Sequence, residues 1–458
     1  MLSRRVVASN RALFSWKNFL NSTDQFKLNY SYLNFRIIFA FGLRGIGAAS
    51  GMAFTLLAGR FLPAETAGAL FLWIAWARAG SIVAVFGHDQ HLVRALPSFL
   101  AANSNNEICA TVRSSFMASL RNCIIITVVI MTGVAAWTFL NSYFESNFWI
   151  SIIILISIIP ATLATILAES LRGINKILES VLIAPTTIFG IPALLIVPAS
   201  IWLGATGAAF SLLTGAFLAY FLSLILWNYH KPKLSIGPNT KPIKSISLRN
   251  LGLLSIILMS QGWFETMASA FLLSKQDIAR YAVAATFASV IQVGLSSINT
   301  FAAPRISLFA AQANPLNLRR VFKTTRVIAI VIALGPTVTL LGWSDSILGL
   351  VGISYTSATT TLQILVVGQF INACVGPVGP ALLALSDERF IMRTLIITAT
   401  VNIIMIYALA PWMGIVGVAY ASASTLIILN ITCLMRLRYF LTHMHGHSDH
   451  YSITKGIV

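Results

Sequence analysis

Residues 202–211 read WLGATGAAFS and residues 412–421 read WMGIVGVAYA. Trp, Gly, Gly and Ala recur at the same places, 210 residues apart. Each stretch precedes a long apolar run that closes one half of the chain. A weaker pair, LAESLRG (167–173) and LALSDER (383–389), lies upstream in the same order. The two pairs together predict a duplicated chain.

Working outward, a membrane span needs about 20 mostly apolar residues. That measure yields twelve spans, at 35–59, 65–87, 115–140, 148–171, 178–199, 205–229, 251–274, 279–303, 325–344, 358–385, 391–411 and 415–437. The 458 residues are 57% hydrophobic and 10% charged. A soluble domain is about a quarter charged, so lipid must cover much of this surface. The expected fold class is an all-α polytopic membrane protein with twelve transmembrane helices in two six-helix lobes. The segments are a cytoplasmic extension (1–34), an N-lobe (35–229), a Pro- and Lys-rich linker (230–250), a C-lobe (251–440) and a tail (441–458). Six spans is an even number, so both halves enter the membrane in the same direction. Parallel repeats of this kind hold substrate between the halves and alternate access by rocking.

The net charge of +18 does not point to nucleic acid, because the basic residues are scattered over short loops rather than gathered among aromatics. They instead orient the chain. With the N-terminus cytoplasmic, 26 of the 31 Lys and Arg residues fall on inner segments, while the outer loops hold Arg60, Lys275 and Arg280. Both termini are therefore expected in the cytoplasm. Cys109, Cys123, Cys374 and Cys433 lie far apart and imply neither a disulfide framework nor a metal site. His88 and His91 flank Asp89 but lack further ligands, so no metal is expected, and no cofactor is implied.

The remaining two basic residues, Arg44 and Arg78, lie inside spans one and two. At 1.5 Å per residue both sit roughly 12–14 Å deep, at matching height. Either they lean toward the headgroups, or they face a wet cavity as a patch for an anionic head. Glu265 lies deep in span seven, with Gln261 one turn earlier on the same face. It is a candidate for coupling or gating, whether by closing against an arginine or by carrying a proton, and the alternative is a buried neutral acid. Gln292, Ser296 and Asn299 share one face of span eight, and Gln369 and Asn372 are three apart on span ten. Such stripes line polar paths or bind helices to each other. Gly47 and Gly51 on span one read first as close helix packing.

LAGRFLPAETAGALF (57–71), HLVRALP (91–97), APRISLFAA (303–311) and the two Trp-Gly stretches resemble motifs of the polysaccharide transporter family. These are the O-antigen, capsule and exopolysaccharide repeat-unit flippases of the multidrug/oligosaccharidyl-lipid/polysaccharide exporter superfamily. The resemblance covers about residues 35–440. Pro63-Ala64 replaces the more usual Gly-Pro, and span eight has no intramembrane arginine. The resemblance implies a V-shaped bacterial inner-membrane flippase, not an enzyme, that moves undecaprenyl-diphosphate-linked oligosaccharide, with Arg44 and Arg78 on cavity-lining helices. Implied partners are the lipid-linked oligosaccharide, membrane lipids, and the polymerase and glycosyltransferases of the same pathway. The coupling source stays open between H+, Na+ and the membrane potential. A drug or metabolite antiporter of the same superfamily is the closest rival, and a membrane-embedded polymerase or ligase is a more distant one.

Overall fold

The structure, a computed structural model, describes residues 30–141, 148–232, 252, 264–312, 314–385 and 387–443. Among these residues there is no strand. That is the expected answer of a chain in hydrocarbon, where each backbone N–H and C=O must be paired within its own segment.

Helix α1 (Tyr30–Phe61) turns at Leu62-Pro63 into α2 (Ala64–Val85). The proline fits because its own carbonyl takes the first bonds of the new helix, from Ala67 N and Thr66 Oγ1, each at 2.9 Å. Two successive left-handed residues, Phe86 and Gly87, redirect the chain into α3 (His88–Ala101). Next come α4 (Asn105–Asn141), α5 (Phe148–Gly173) and the short α6 (Ile177–Val181), which runs through a π-turn (Leu182–Thr187) into α7 (Ile188–His230). The C-terminal half holds α8 (Phe264–Ser269), α9 (Lys275–Ala311), α10 (Pro315–Gly342), α11 (Ser344–Val351) and a 3-10 turn (Ile353–Ala358). It ends with α12 (Thr359–Val375), α13 (Val378–Ala384), α14 (Glu388–Met413) and α15 (Ile415–His443).

Nine helices among the described residues are long and apolar enough to cross a membrane. One of them, α7, bends at Gly204 and so carries spans five and six. Half of span seven, 251 and 253–263, lies outside the described residues.

The duplication extends to backbone angles. Gly204 has φ 59° and ψ −139°, and Gly414 has φ 57° and ψ −136°. Positive φ with extended ψ is accessible essentially to glycine alone, which is why both repeats need it there. Three residues on, Gly207 and Gly417 each press against a carbonyl eight residues back. A Cβ would lie 1.9 Å from Ala199 O in the first and 2.6 Å from Leu409 O in the second. Trp202 and Trp412 are 87% and 88% exposed beside the two bends, the placement of an aromatic belt at a membrane–water boundary.

Two sequence expectations require correction. The second repeat pair is not equivalent in structure, since 167–173 ends α5 while 383–389 straddles the α13–α14 turn. Span ten is broken into α12 and α13 at Gly376 (φ 85°) and Pro377. HLVRALP (91–97) lies within amphipathic α3, whose buried Leu92 and Leu96 meet Gly173 at the end of α5. Between spans nine and ten the chain forms α11 and the 3-10 turn.

The apolar core forms three clusters. One joins both halves beside the α1–α2 turn, combining Ala58, Leu70 and Phe71 with Val283, Val351 and Tyr355. There a Cβ on Gly59 would reach 2.9 Å from Val351, and one on Gly68 would overlap the Lys275 carbonyl at 1.7 Å. Toward the opposite end the core divides. One cluster is built only from the N-terminal half, around Leu92, Leu171 and Trp227, and the other only from the C-terminal half, around Ile306, Leu382 and Leu437. The two halves thus share one apolar core beside the α1–α2 turn and have separate core clusters toward the other end, where Gly252 still touches Phe86.

Candidate functional site

Phe189, on the first turn of α7, is the meeting point of three helices. Its ring faces Gly51 of α1, where a Cβ would stand in ordinary contact at 3.5 Å. From α2, the Arg78 guanidinium carbon stands 4.3 Å from the Phe189 ring centroid. The guanidinium therefore sits deep in the bundle, yet keeps partial accessibility. The ion pairs among the described residues are Arg172–Glu169, His230–Glu179, Arg280–Asp277 and Arg436–Asp387, so Arg78 has no carboxylate there. An unpaired charge in such a place strongly favours an anion or water beside it.

Local structure fixes this geometry. Three residues after Arg78, α2 is bound to α5 by Ser81 and Thr162, whose hydroxyls are 2.7 Å apart. Gly80 allows Ile126, Ile130 and Ile158 to close against the same helix. Before α7, the π-turn places Thr186 Oγ1 3.1 Å from the Leu43 carbonyl, the residue just before Arg44. Such turns recur at functional sites. The start of α7 thus runs along α1 from Leu43 to Gly51. Arg44 lies on that stretch of α1, and its side chain is outside the described residues.

The second cluster lies in the C-terminal half. Glu265 on α8 accepts the Tyr281 hydroxyl at 2.6 Å on one oxygen and Asn402 Nδ2 at 3.1 Å on the other. Ser422 lies close to both Glu265 and Tyr281, and Asn402 Nδ2 also reaches Thr425 Oγ1 at 3.0 Å. Four helices, α8, α9, α14 and α15, converge on one carboxylate. Asn402 Oδ1 is buried with no hydrogen-bond partner among the described residues, which leaves the cluster with spare acceptor capacity. Glu265 pairs with no arginine among the described residues. Gln261 lies outside the described residues.

On α9, Gln292 and Ser296 are exposed while Ile291 and Leu295 beside them are buried. Asn299 continues the stripe half-buried, its Oδ1 without a hydrogen-bond partner among the described residues. Gln369 and Asn372 on α12 bond each other at 3.4 Å. His88 Nδ1 lies 3.2 Å from Ser115 Oγ, and burial, His91 and Arg121 hold its ring below the ordinary histidine range. No group of three metal-ligating side chains occurs among the described residues.

Two sequence-predicted groups, Arg78 and Glu265, thus fall in different halves. The partners Phe189, Tyr281, Asn402, Ser422 and Thr425 were missed. Only Asn402, one amide in an apolar run, carried a readable signal.

The fold has known counterparts. A multidrug-resistance MATE transporter of the MOP superfamily, solved in an inward-facing conformation, superposes with a TM-score of 0.73 at 13% identity, covering 89% of this chain and 96% of that one. The fold is that of the MATE transporters. An outward-facing MATE structure gives 0.59 at 14% identity, with 90% and 96% covered. A MOP-superfamily transporter from Pyrococcus furiosus, described by the reversed polarity of its binding pocket, gives 0.61 at 14%, also with 90% and 96% covered. Residues 252–408 match the MatE family model. In sequence the chain is similar to the probable low-salt glycan biosynthesis flippase Agl15 of Haloferax volcanii, 23% identical over 308 residues. That match takes in 65% of this chain and spans 62% of the relative's length.

Proposed function

We propose that this chain is a flippase of the bacterial inner membrane that moves undecaprenyl-diphosphate-linked oligosaccharide repeat units for surface polysaccharide synthesis. The observation that carries the reading is Arg78, held over Phe189 inside the bundle with no carboxylate beside it among the described residues. A diphosphate supplies the missing counter-charge, and Arg44 adds a second cation from the neighbouring helix. The polar residues Gln261, Gln292, Ser296, Asn299, Gln369 and Asn372 replace water around the sugar hydroxyls as they cross. The similarity to a protein named as a glycan flippase supports the same reading. With both termini cytoplasmic, the shared-core end by Gly59 and Gly68 faces outward and the end with separate clusters faces inward. The site then loads from the cytoplasm and delivers by rocking the two halves.

One observation favours a second reading. The Glu265 cluster is a carboxylate with hydroxyl and amide neighbours, the chemistry a coupling H+ or Na+ uses, and a drug or metabolite antiporter would need the same device. Expression of the wild type and Arg78→Ala in a flippase-null strain separates the two. The flippase reading expects restored surface polysaccharide with the wild type, and stranded lipid-linked repeat units with the variant. Cationic-drug resistance that persists in Arg78→Ala and is lost in Glu265→Gln would establish the antiporter instead.

A further inference from the structure

A cavity of about 600 Å3 lies away from both clusters, between α4, α5 and the end of α7. Its floor is apolar, formed by Phe116, Leu167, Leu224 and the nearly buried Trp227. Its rim carries Arg113 and Lys231, both exposed. None of the lining side chains is acidic. The nearby Glu179 is engaged by His230 at 3.5 Å. Lys231 donates to Asn228 Oδ1 at 3.0 Å, which holds one cation at the mouth.

The helices that form the groove also lead to it. Met117 and Ile124 on α4, and Phe217, Phe221 and Ile225 on α7, are large apolar side chains left exposed. On α7 they recur every four residues and so form one stripe. In a chain that crosses a bilayer such stripes lie against acyl chains, and here they end at an amphipathic indole and at Arg113 and Lys231, neither of which pairs with a carboxylate among the described residues. Basic pockets between helices at the headgroup level suit anionic lipid heads, and Trp belongs at that level.

We infer that the groove is a binding site for one anionic glycerophospholipid, with its phosphate between Arg113 and Lys231 and a tail along Phe221 and Ile225. The site does not depend on the identity of the transported molecule. It gives the N-terminal half a fixed lipid at the end opposite the α1–α2 turn, where the core is not shared with the other half.

The test is native mass spectrometry of the full chain released from micelles doped with phosphatidylglycerol or phosphatidylcholine. The wild type is expected to retain one phosphatidylglycerol in preference to phosphatidylcholine. Arg113→Gln and Lys231→Gln should each lower that occupancy about fivefold, while Arg113→Lys and the distant Arg438→Gln should not. Equal retention of the two lipids by the wild type would overturn the site, as would an undiminished preference in the double Gln variant. Displacement of the bound lipid by equimolar undecaprenyl diphosphate would also overturn it, because the groove would then belong to the substrate's own head. The lipid comparison in the wild type needs no variant to fold, and its failure would leave the flippase assays on Arg78 unaffected.

Discussion

Arg78 and Phe189, on helices separated by more than 100 residues of chain, form a cation–π contact of 4.3 Å within the bundle. Contacts of this kind are worth about 0.5–2 kcal/mol. The ring therefore orients the guanidinium without neutralising it, and the full charge stays available to an incoming anion. Phe189→Leu is expected to reduce surface polysaccharide in a complemented strain, and Phe189→Trp to preserve it. Complementation by Phe189→Leu equal to the wild type would show that orientation by the ring does not matter.

Gly204→Ala and Gly414→Ala should destabilise the protein to a similar extent, by about 1–3 kcal/mol each, the cost of forcing a side chain into that backbone region. Gly207→Ala should do more damage, because its Cβ would strike the Ala199 carbonyl at 1.9 Å. Thermal unfolding in detergent reads the order of the three.

Tyr281→Phe removes a hydroxyl that donates to the Glu265 carboxylate at 2.6 Å. A hydrogen bond to a charged group is worth about 1.5–3 kcal/mol, and a comparable loss of stability is expected. Glu265→Gln keeps the shape of the side chain and should fold, but it should lose any dependence of transport on an ion gradient. Transport by reconstituted Glu265→Gln that still follows the imposed gradient would remove Glu265 from the coupling step.

A pH effect should arise at the α2–α3 elbow. Burial holds His88 and His91 below the ordinary value of 6.5, so the folded state prefers neutral rings. Below pH 6.5 the unfolded chain binds more protons than the folded one. The contribution is whole above 6.5 and is lost as pH falls through the lowered values. Asp89, whose carboxyl burial pushes up from 3.8, works in the opposite sense from the acid side. Melting temperatures of the wild type should fall between pH 7 and pH 5, and those of a His88→Gln/His91→Gln variant should fall less.

Gly68→Leu should wedge the seam, since even a methyl there would overlap the Lys275 carbonyl. Thiol labelling of a cysteine placed at Val351 should become faster in that variant. Unchanged labelling would mean that the seam is not the moving boundary.

Much of the fold was readable because the bilayer imposes it. A run such as ILISIIPATLATIL leaves the backbone no alternative to a helix, and glycines of unusual conformation recur where the repeat needs them. The α3 helix was less readable, since its buried face is two leucines within a polar stretch. The break at Gly376-Pro377 was hidden by apolar residues on both sides. At the candidate site, charge made Arg78 and Glu265 visible. Tyr281 and Thr425 were not, because a lone hydroxyl in an apolar helix usually bonds its own backbone, as Thr425 also does to Ala421 at 2.7 Å.

Beside its larger side chains, the seam between the halves holds many of the smallest, among them Ala58, Gly59, Ala67, Gly68, Ala279 and Ala284. Alanine and glycine bring backbones close but remove little hydrocarbon from solvent, at about 25 cal/mol per Å2. The joint is therefore intimate yet weakly glued, like a zipper with fine teeth. Because such adhesion fades on cooling, a chilled membrane should hold more molecules unfastened at that end.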